Sequence, residues 1–451
     1  MKPLELPQGS RFTNKQIIAF LLPIFFEQLM VAGLNIADTF MVSFFGDVSV
    51  AGVALVARID NFVKTFFSAL AQGGSVVMSQ YIGAQNSEKS RLSMKNNIRI
   101  VTIIGIVIML VMVLFRPQIL QLLYGKADAG VLAVSNDYFT VTALSYPFVA
   151  LYYANSASFR AMGESKIPSM FAIAMMVLNL ILKYIFLFVM RIGIKGAALS
   201  TLVSMAVTGL IMFFILHSKK NKVPLEGFFK PDFKKENVFR ILRVSVPNGI
   251  ENGMFQLGAL LIAGLVSGLG QVAIAADHQA RTICALVHSM GTAFVAIMMM
   301  LIGQCMGAGK PDEARMYKKH ILKLDYIFTF INVVIFLVIL RPVISLFGVS
   351  EEVKDTAVNI LILYSVCSVF FYPTSFAVAG ALRGTGDTKF VMMVSTCSMF
   401  IFRIGAAYFF VKVMDMGIMG TWVAMVSDWV IRSSIFHIRF KKGKWQDNKV
   451  I

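Results

Sequence analysis

The chain has 451 residues, of which 57% are hydrophobic and only 15% charged, whereas an ordinary soluble domain carries about 25% charge. A mean hydropathy of +0.74 argues further against a soluble enzyme, and no Ser/His/Asp spacing or glycine-rich nucleotide loop points to catalysis or ATP use. The formal net charge of +18 admits a nucleic-acid partner in principle, but the placement of the basic residues gives a simpler account below.

Apolar runs long enough to cross a bilayer core as helix recur along the whole chain, and backbone groups inside lipid must be satisfied within each segment. The pattern predicts twelve spans, at 17–40, 50–80, 98–115, 133–160, 167–190, 194–217, 241–269, 271–305, 321–340, 355–382, 390–413 and 417–438. The first run is too long for a signal-peptide core, so it reads as a retained helix. With the N-terminus placed in the cytoplasm, alternate loops collect most of the 42 Lys and Arg. The opposite side holds Arg116, Lys126, Arg191, Lys195, Arg341, Lys354 and Lys412. This bias places both termini in the cytoplasm of a prokaryotic cell, with a multi-pass protein in its inner membrane. The excess positive charge then faces anionic headgroups of the lipid bilayer, and no nucleic acid is needed to explain it. Cys284, Cys305, Cys367 and Cys397 fall inside spans without a CxxC, and His217, His278, His288, His320 and His437 show no ligand spacing. The expectation is therefore no metal site and no cofactor.

The strongest signal is an internal repeat. A shift of about 224 residues carries Pro23-x-x-x-Glu27 onto Pro247-x-x-x-Glu251, and Gln80-x-x-Gly83-Ala84 onto Gln304-x-x-Gly307-Ala308. Gly193-Ile194-x-Gly196 falls on Gly417-Ile418-x-Gly420. With small shifts, Tyr146-Pro147 matches Tyr372-Pro373, and Arg160-x-x-Gly163-Glu164-x-Lys166 matches Arg383-x-x-Gly386-Asp387-x-Lys389. Six spans per repeat means that both halves enter the membrane from the same side. The predicted fold class is an all-α integral membrane protein with twelve transmembrane helices in two parallel six-helix repeats. Its divisions are an N-lobe (1–217), a cytoplasmic linker (218–243) and a C-lobe (244–451). Two such bundles suit alternating access around a shared site.

The ordered set of Pro-x-x-x-Glu in helix 1, Asp38-Thr39 near its end, Gly83-Ala84 after helix 2 and Arg160-Ala-x-Gly-Glu before helix 5 resembles the multidrug and toxic compound extrusion (MATE) transporters. Pro247-Asn248-Gly249-Ile250-Glu251-Asn252 and Leu382-Arg383-Gly384-x-Gly386-Asp387 are similar to the same family. The resemblance covers about residues 15–440. It implies a two-lobed secondary antiporter that exports amphipathic, cationic organic compounds in exchange for H⁺ or Na⁺.

Charges inside spans are functional candidates because they are costly there. Glu27 and Asp38 are eleven residues apart, close to three helical turns, so they line one face of helix 1, with Asn35 on the turn before Asp38. Pro23 removes a backbone donor and should loosen that helix. The resemblance makes Asp38 an ion- or proton-coupling acid and Asn179 its neighbour in a cation site. Lys183, one turn from Asn179, stands where many relatives carry an acid. An ammonium cannot ligate Na⁺, but it could pair with Asp38; snorkelling to an interface is the plain alternative. The second repeat is not a copy here: Asp38 maps to Ile262, Asn179 to Arg403 and Lys183 to Ala407.

Glu251 matches a helix 7 acid of sodium-coupled relatives, yet their helix 10 acid falls near Tyr372. The balance therefore favours H⁺ over Na⁺. Glu27 and Glu251 could instead be structural, capping backbone freed by Pro23 and Pro247. Asp60/Lys64, Asp277/Arg281 and Asp428/Arg432 are spaced i,i+4, and mutual neutralisation is the plain reading of each. Arg403, Asp428 and Tyr372 make up a C-lobe polar cluster. Two other functions remain open: a flippase for lipid-linked oligosaccharides, which needs a cationic cavity for pyrophosphate, and a non-transporting receptor or scaffold. The chain is expected to act as a monomer.

Overall fold

The computed structural model describes residues 6, 10–125, 127–230, 234–345, 350–448 and 450–451, with the side chains of residues 32, 35, 36, 38, 39, 43, 286–290 and 447 also outside the described set. Among the described residues there are α-helices and short π and 3₁₀ turns, and no strand.

The first repeat contains α1 (Asn14–Ser43), α2 (Asp47–Gly83), α3 (Ser87–Leu114), α4 (Arg116–Tyr124), α5 (Ala129–Leu144), α6 (Tyr146–Ala161), α7 (Lys166–Tyr184) and α8 (Ile194–Leu216). The second contains α9 (Lys235–Ser267), α10 (Gln271–Gly307), α11 (Pro311–Ser345), α12 (Glu351–Gly384), α13 (Thr388–Ser398), α14 (Ala406–Lys412) and α15 (Gly417–Lys441). Among the described residues, eight helices are long and apolar enough to cross a membrane by length and composition alone. Of the remaining spans of the twelve-helix plan, α2 and α15 carry the charged pairs Asp60/Lys64 and Asp428/Arg432, and α10, which carries Asp277/Arg281, also contains the shorter apolar stretch Gly291–Gly307. The fourth predicted span, 133–160, is not continuous: α5 ends at Leu144 and α6 starts at Tyr146, with Pro147 in its first turn, where a missing N–H costs nothing. The matching Pro373 is instead carried inside the unbroken α12.

The repeat is visible in the backbone. Gly163 follows α6 at φ +85° and Gly386 follows α12 at φ +91°, a region that favours glycine. Each turn closes identically: Glu164 N–H donates to Phe159 O and Asp387 N–H to Leu382 O, both at 3.0 Å. A π segment follows α7 at Ile185–Val189, and another joins α13 to α14 at Met399–Gly405. Under the repeat shift these do not coincide, because the second includes Arg403, the counterpart of Asn179.

The chain forms two compact units, Leu22–Gly249 and Ile250–Ile451 together with Met1–Leu21. Each opening helix thus changes unit close to its proline: α1 at Leu21/Leu22, near Pro23, and α9 at Gly249/Ile250, just past Pro247. In the first unit Ser245 Oγ donates to Leu70 O and Asn248 Nδ2 to Ala69 O, both at 2.8 Å. In the second, Phe12 N–H donates to Tyr317 Oη at 2.7 Å. The first core gathers Phe67, Phe139, Tyr146 and Phe159, and takes in Val223 and Leu225 of the linker. The second gathers Ile283, Leu361, Tyr364, Trp422 and Trp429. Facing outward, α3 presents Ile103, Val107, Leu110 and Leu114, and α11 presents Ile327, Ile331, Val334 and Val338. These helical stripes of exposed apolar side chains suit lipid rather than water.

Candidate functional site

The two repeated motifs meet in space. Arg160, in the last turn of α6, reaches Glu27 of α1, donating from Nη2 to Oε1 at 3.1 Å and to Oε2 at 3.0 Å. Ser169 Oγ donates to the same carboxylate at 2.6 Å. In the second unit Arg383, in the last turn of α12, donates to Glu251 Oε1 at 2.7 Å. Both glutamates are buried. Their partners are side chains, which corrects the expectation that they cap backbone freed by Pro23 and Pro247. A buried carboxylate is stable when paired with a guanidinium that also satisfies its lone pairs. The second copy meets that condition less completely: Ser169 corresponds to Met392, and Glu251 Oε2 is buried with no hydrogen-bond partner.

The interior of the first unit has two further features. Asn179 Nδ2 faces a hydroxyl cluster on α8, 3.1 Å from Thr201 Oγ1, 3.3 Å from Ser204 Oγ and 3.4 Å from Ser200 Oγ. Lys183 is 2% exposed, so it does not snorkel to an interface. Asp38 and Asn35, expected to share this region, have side chains that lie outside the described residues, as does that of His288. The pair Asp60/Lys64 closes at 2.6 Å.

The second unit is built around Asp428 on α15, whose side chain is fully buried. Ser398 Oγ donates to it at 2.5 Å. Arg432 lies 3.3 Å away and Arg403 3.7 Å away. Arg403 and Asp428 of the expected cluster are therefore brought together, with Arg432 as a second guanidinium around the one carboxylate. Arg432 also lies over the rings of Phe376 and Phe255, at 4.8 and 5.0 Å, which holds a desolvated cation by its charge. Tyr372 stacks on Phe376 at 4.4 Å and meets Trp429 edge-on at 5.6 Å. Gly291 of α10 makes room for it: a Cβ there would lie 2.3 Å from Tyr372 Cε1. Nearby, Asp277 pairs with Arg281 at 2.6 Å and accepts from Trp422 Nε1 at 3.0 Å.

Two functional candidates were not visible to pair-seeking along one helix. Asp387 and Arg439 are bonded at 2.8 Å although 52 residues apart. Asp325 of α11, only 1% exposed, has Ile321 and Thr329 four residues to either side. Its position inside an apolar run was itself the available signal.

A duplicated all-helical membrane fold, with a buried carboxylate–guanidinium pair repeated in each half, defines a membrane-transporter architecture of two repeats. The MatE family model matches residues 23–185 and again 247–409, so the chain belongs to that family and the match falls once on each repeat. It is 24% identical to the probable multidrug resistance protein NorM of Thermotoga maritima, over 97% of this chain and 94% of the relative. It is 25% identical to the uncharacterized transporter YisQ of Bacillus subtilis, over 94% and 93%. Among solved structures it resembles a MATE protein in complex with MaL6, with a TM-score of 0.88 and 20% identity over 98% of this chain and 99% of that one. A MOP-superfamily transporter from Pyrococcus furiosus matches with a TM-score of 0.87 and 19% identity, over 99% of both chains.

Proposed function

We propose that this protein is a secondary antiporter that exports amphipathic, cationic organic compounds across a prokaryotic inner membrane, with both termini cytoplasmic and a single chain as the working unit. The observation that carries this reading is the MatE match to both repeats. Relatives named as multidrug resistance proteins cover nearly the same length. The coupling ion is H⁺ rather than Na⁺. In support, Glu251 is already held by Arg383, Tyr372 occupies the place of a further acid, and Lys183 is buried one turn from Asn179. The fixed cations Arg383 and Lys183 disfavour a bound cation beside Glu251 and Asn179, and Tyr372 supplies no carboxylate to ligate one. Asp38 is the coupling acid of the first repeat: its charged form would hold helix 1 toward Lys183 and Asn179, and protonation would release it to bend at Pro23.

Ethidium accumulation in cells lacking or overproducing the protein tests export. Proteoliposomes under an imposed pH or Na⁺ gradient test coupling, and export driven by Na⁺ at equal pH would sink the H⁺ assignment. One observation favours a second reading: Arg403 and Arg432 together outnumber Asp428. That surplus of positive charge suits a pyrophosphate-linked substrate, as in a lipid-linked oligosaccharide flippase. Unchanged dye accumulation together with a defect in envelope glycans would select it.

A further inference from the structure

We propose that Asp325 is a proton-binding site in the interior of the second unit. Six acidic side chains are buried among the described residues: Glu27, Glu251, Asp277, Asp325, Asp387 and Asp428. Five are neutralised by a guanidinium, from Arg160, Arg383, Arg281, Arg439 and Arg432. Asp325 has no basic partner among the described residues, and its one hydrogen bond comes from Thr329 Oγ1 at 3.3 Å. An isolated carboxylate in an apolar interior is strongly penalised, and taking up a proton removes the penalty. The counterpart of Asp325 in the first repeat is Val101, also buried, so the position is not a requirement of the shared fold.

The surroundings connect this carboxyl to the polar cluster. On α11 itself, Tyr326 is turned toward α12, bonded to Thr374 Oγ1 at 2.6 Å and Phe370 O at 3.0 Å. From α12, Tyr372 stacks on Phe376 at 4.4 Å, and Arg432 lies over that same Phe376 ring at 4.8 Å. α10 contributes Gly291 against Tyr372 and Phe294 against Phe328 of α11. Arg432 is itself paired with Asp428 on α15. α12 thus links the helix that bears a carboxyl able to gain or lose a proton to a cluster carrying one surplus positive charge. When Asp325 is ionised, it draws that surplus toward α11; when it is protonated, Asp428 alone holds both guanidiniums. Proton occupancy would therefore bias the packing of α11 and α12 against α15, and if the antiport reading holds, this gives the second repeat its own coupling site.

The experiment is infrared difference spectroscopy of the purified full-length protein in lipid nanodiscs, titrated from mildly acidic to mildly alkaline pH. A protonated-carboxyl band that titrates in the wild type is expected to vanish in Asp325→Asn, persist in Asp38→Asn and shift in Asp325→Glu. Should Asp325→Asn not fold, the shift in Asp325→Glu decides alone. A band unchanged by either substitution at 325, or no titrating band in the wild type, overturns the site. Ethidium export by the same protein in proteoliposomes keeps the two ideas separable. Failure of export with the Asp325 band present retires the antiport reading and leaves the site. Export with no Asp325-dependent band does the reverse.

Discussion

Glu27 and Glu251 occupy the same place in the two repeats, and the contrast between their surroundings shows how a duplicated scaffold diverges. Each is buried and bound by the arginine of an Arg-x-x-Gly turn. Around that fixed pair, the first repeat adds a serine hydroxyl, while the second leaves one carboxylate oxygen bare. Elsewhere in the first unit, Asn179 meets the hydroxyls of α8, one turn from the buried Lys183. The second holds Arg403, Arg432, Asp428 and Asp325 among large aromatic rings. Even the packing inverts: Phe67 meets Tyr146 edge-on at 6.3 Å in the first repeat, whereas its counterpart Gly291 yields space to Tyr372 in the second. The lesson is that the carboxylate–guanidinium pairs joining helices were kept in both copies, while the other buried polar groups differ between them.

The sharpest way to break this comparison is Asp38→Asn, which removes a titratable group from one repeat only. Coupled ethidium export in proteoliposomes should be lost while yield and gel-filtration behaviour stay normal. Normal export would move the coupling function to the second repeat. Next in size is the shared pair. Arg383→Ala leaves Glu251 charged and buried without a partner, and should cost about 3–5 kcal/mol in reversible unfolding in detergent. Arg160→Ala should cost less, because Ser169 still donates to Glu27. Equal losses would mean that the serine adds nothing. Gly291→Ala tests the inverted packing: the new methyl must displace a Tyr372 ring wedged by Phe376 and Trp429, at about 1–3 kcal/mol. Unchanged melting would show that the ring moves freely. The smallest effect belongs to Ser398→Ala, which removes one donor from Asp428 and should lower stability by about 1–3 kcal/mol, toward the low end because Arg432 remains.

The twelve-span plan and the repeat were legible because apolar run length and recurrence survive in sequence without any knowledge of contacts. The i,i+4 pairs were legible for the same reason, since helix geometry alone brings them together. Glu27 and Arg160 lie 133 residues apart, and no local rule joins them; only the parallel recurrence of both motifs at one shift hinted at it. Asp325 has Ile321, Leu322, Phe328 and Thr329 at helical spacing, so no rule of paired charges along one helix picks it out. The break at Tyr146 could not be separated from the continuous helix at Tyr372, because the dipeptide Tyr-Pro is the same in both places.

The exchange of opening helices between the units bears on how such a chain can be cut or assembled. A fragment ending at residue 217 would lack Ser245 and Asn248, whose hydrogen bonds to Leu70 and Ala69 complete the first unit. A fragment starting at residue 244 would lack Phe12, which binds Tyr317 in the second. Neither half-gene product therefore contains a finished bundle. Produced together as separate chains, the halves would have to trade arms, like two partners who each hold the other's clasp.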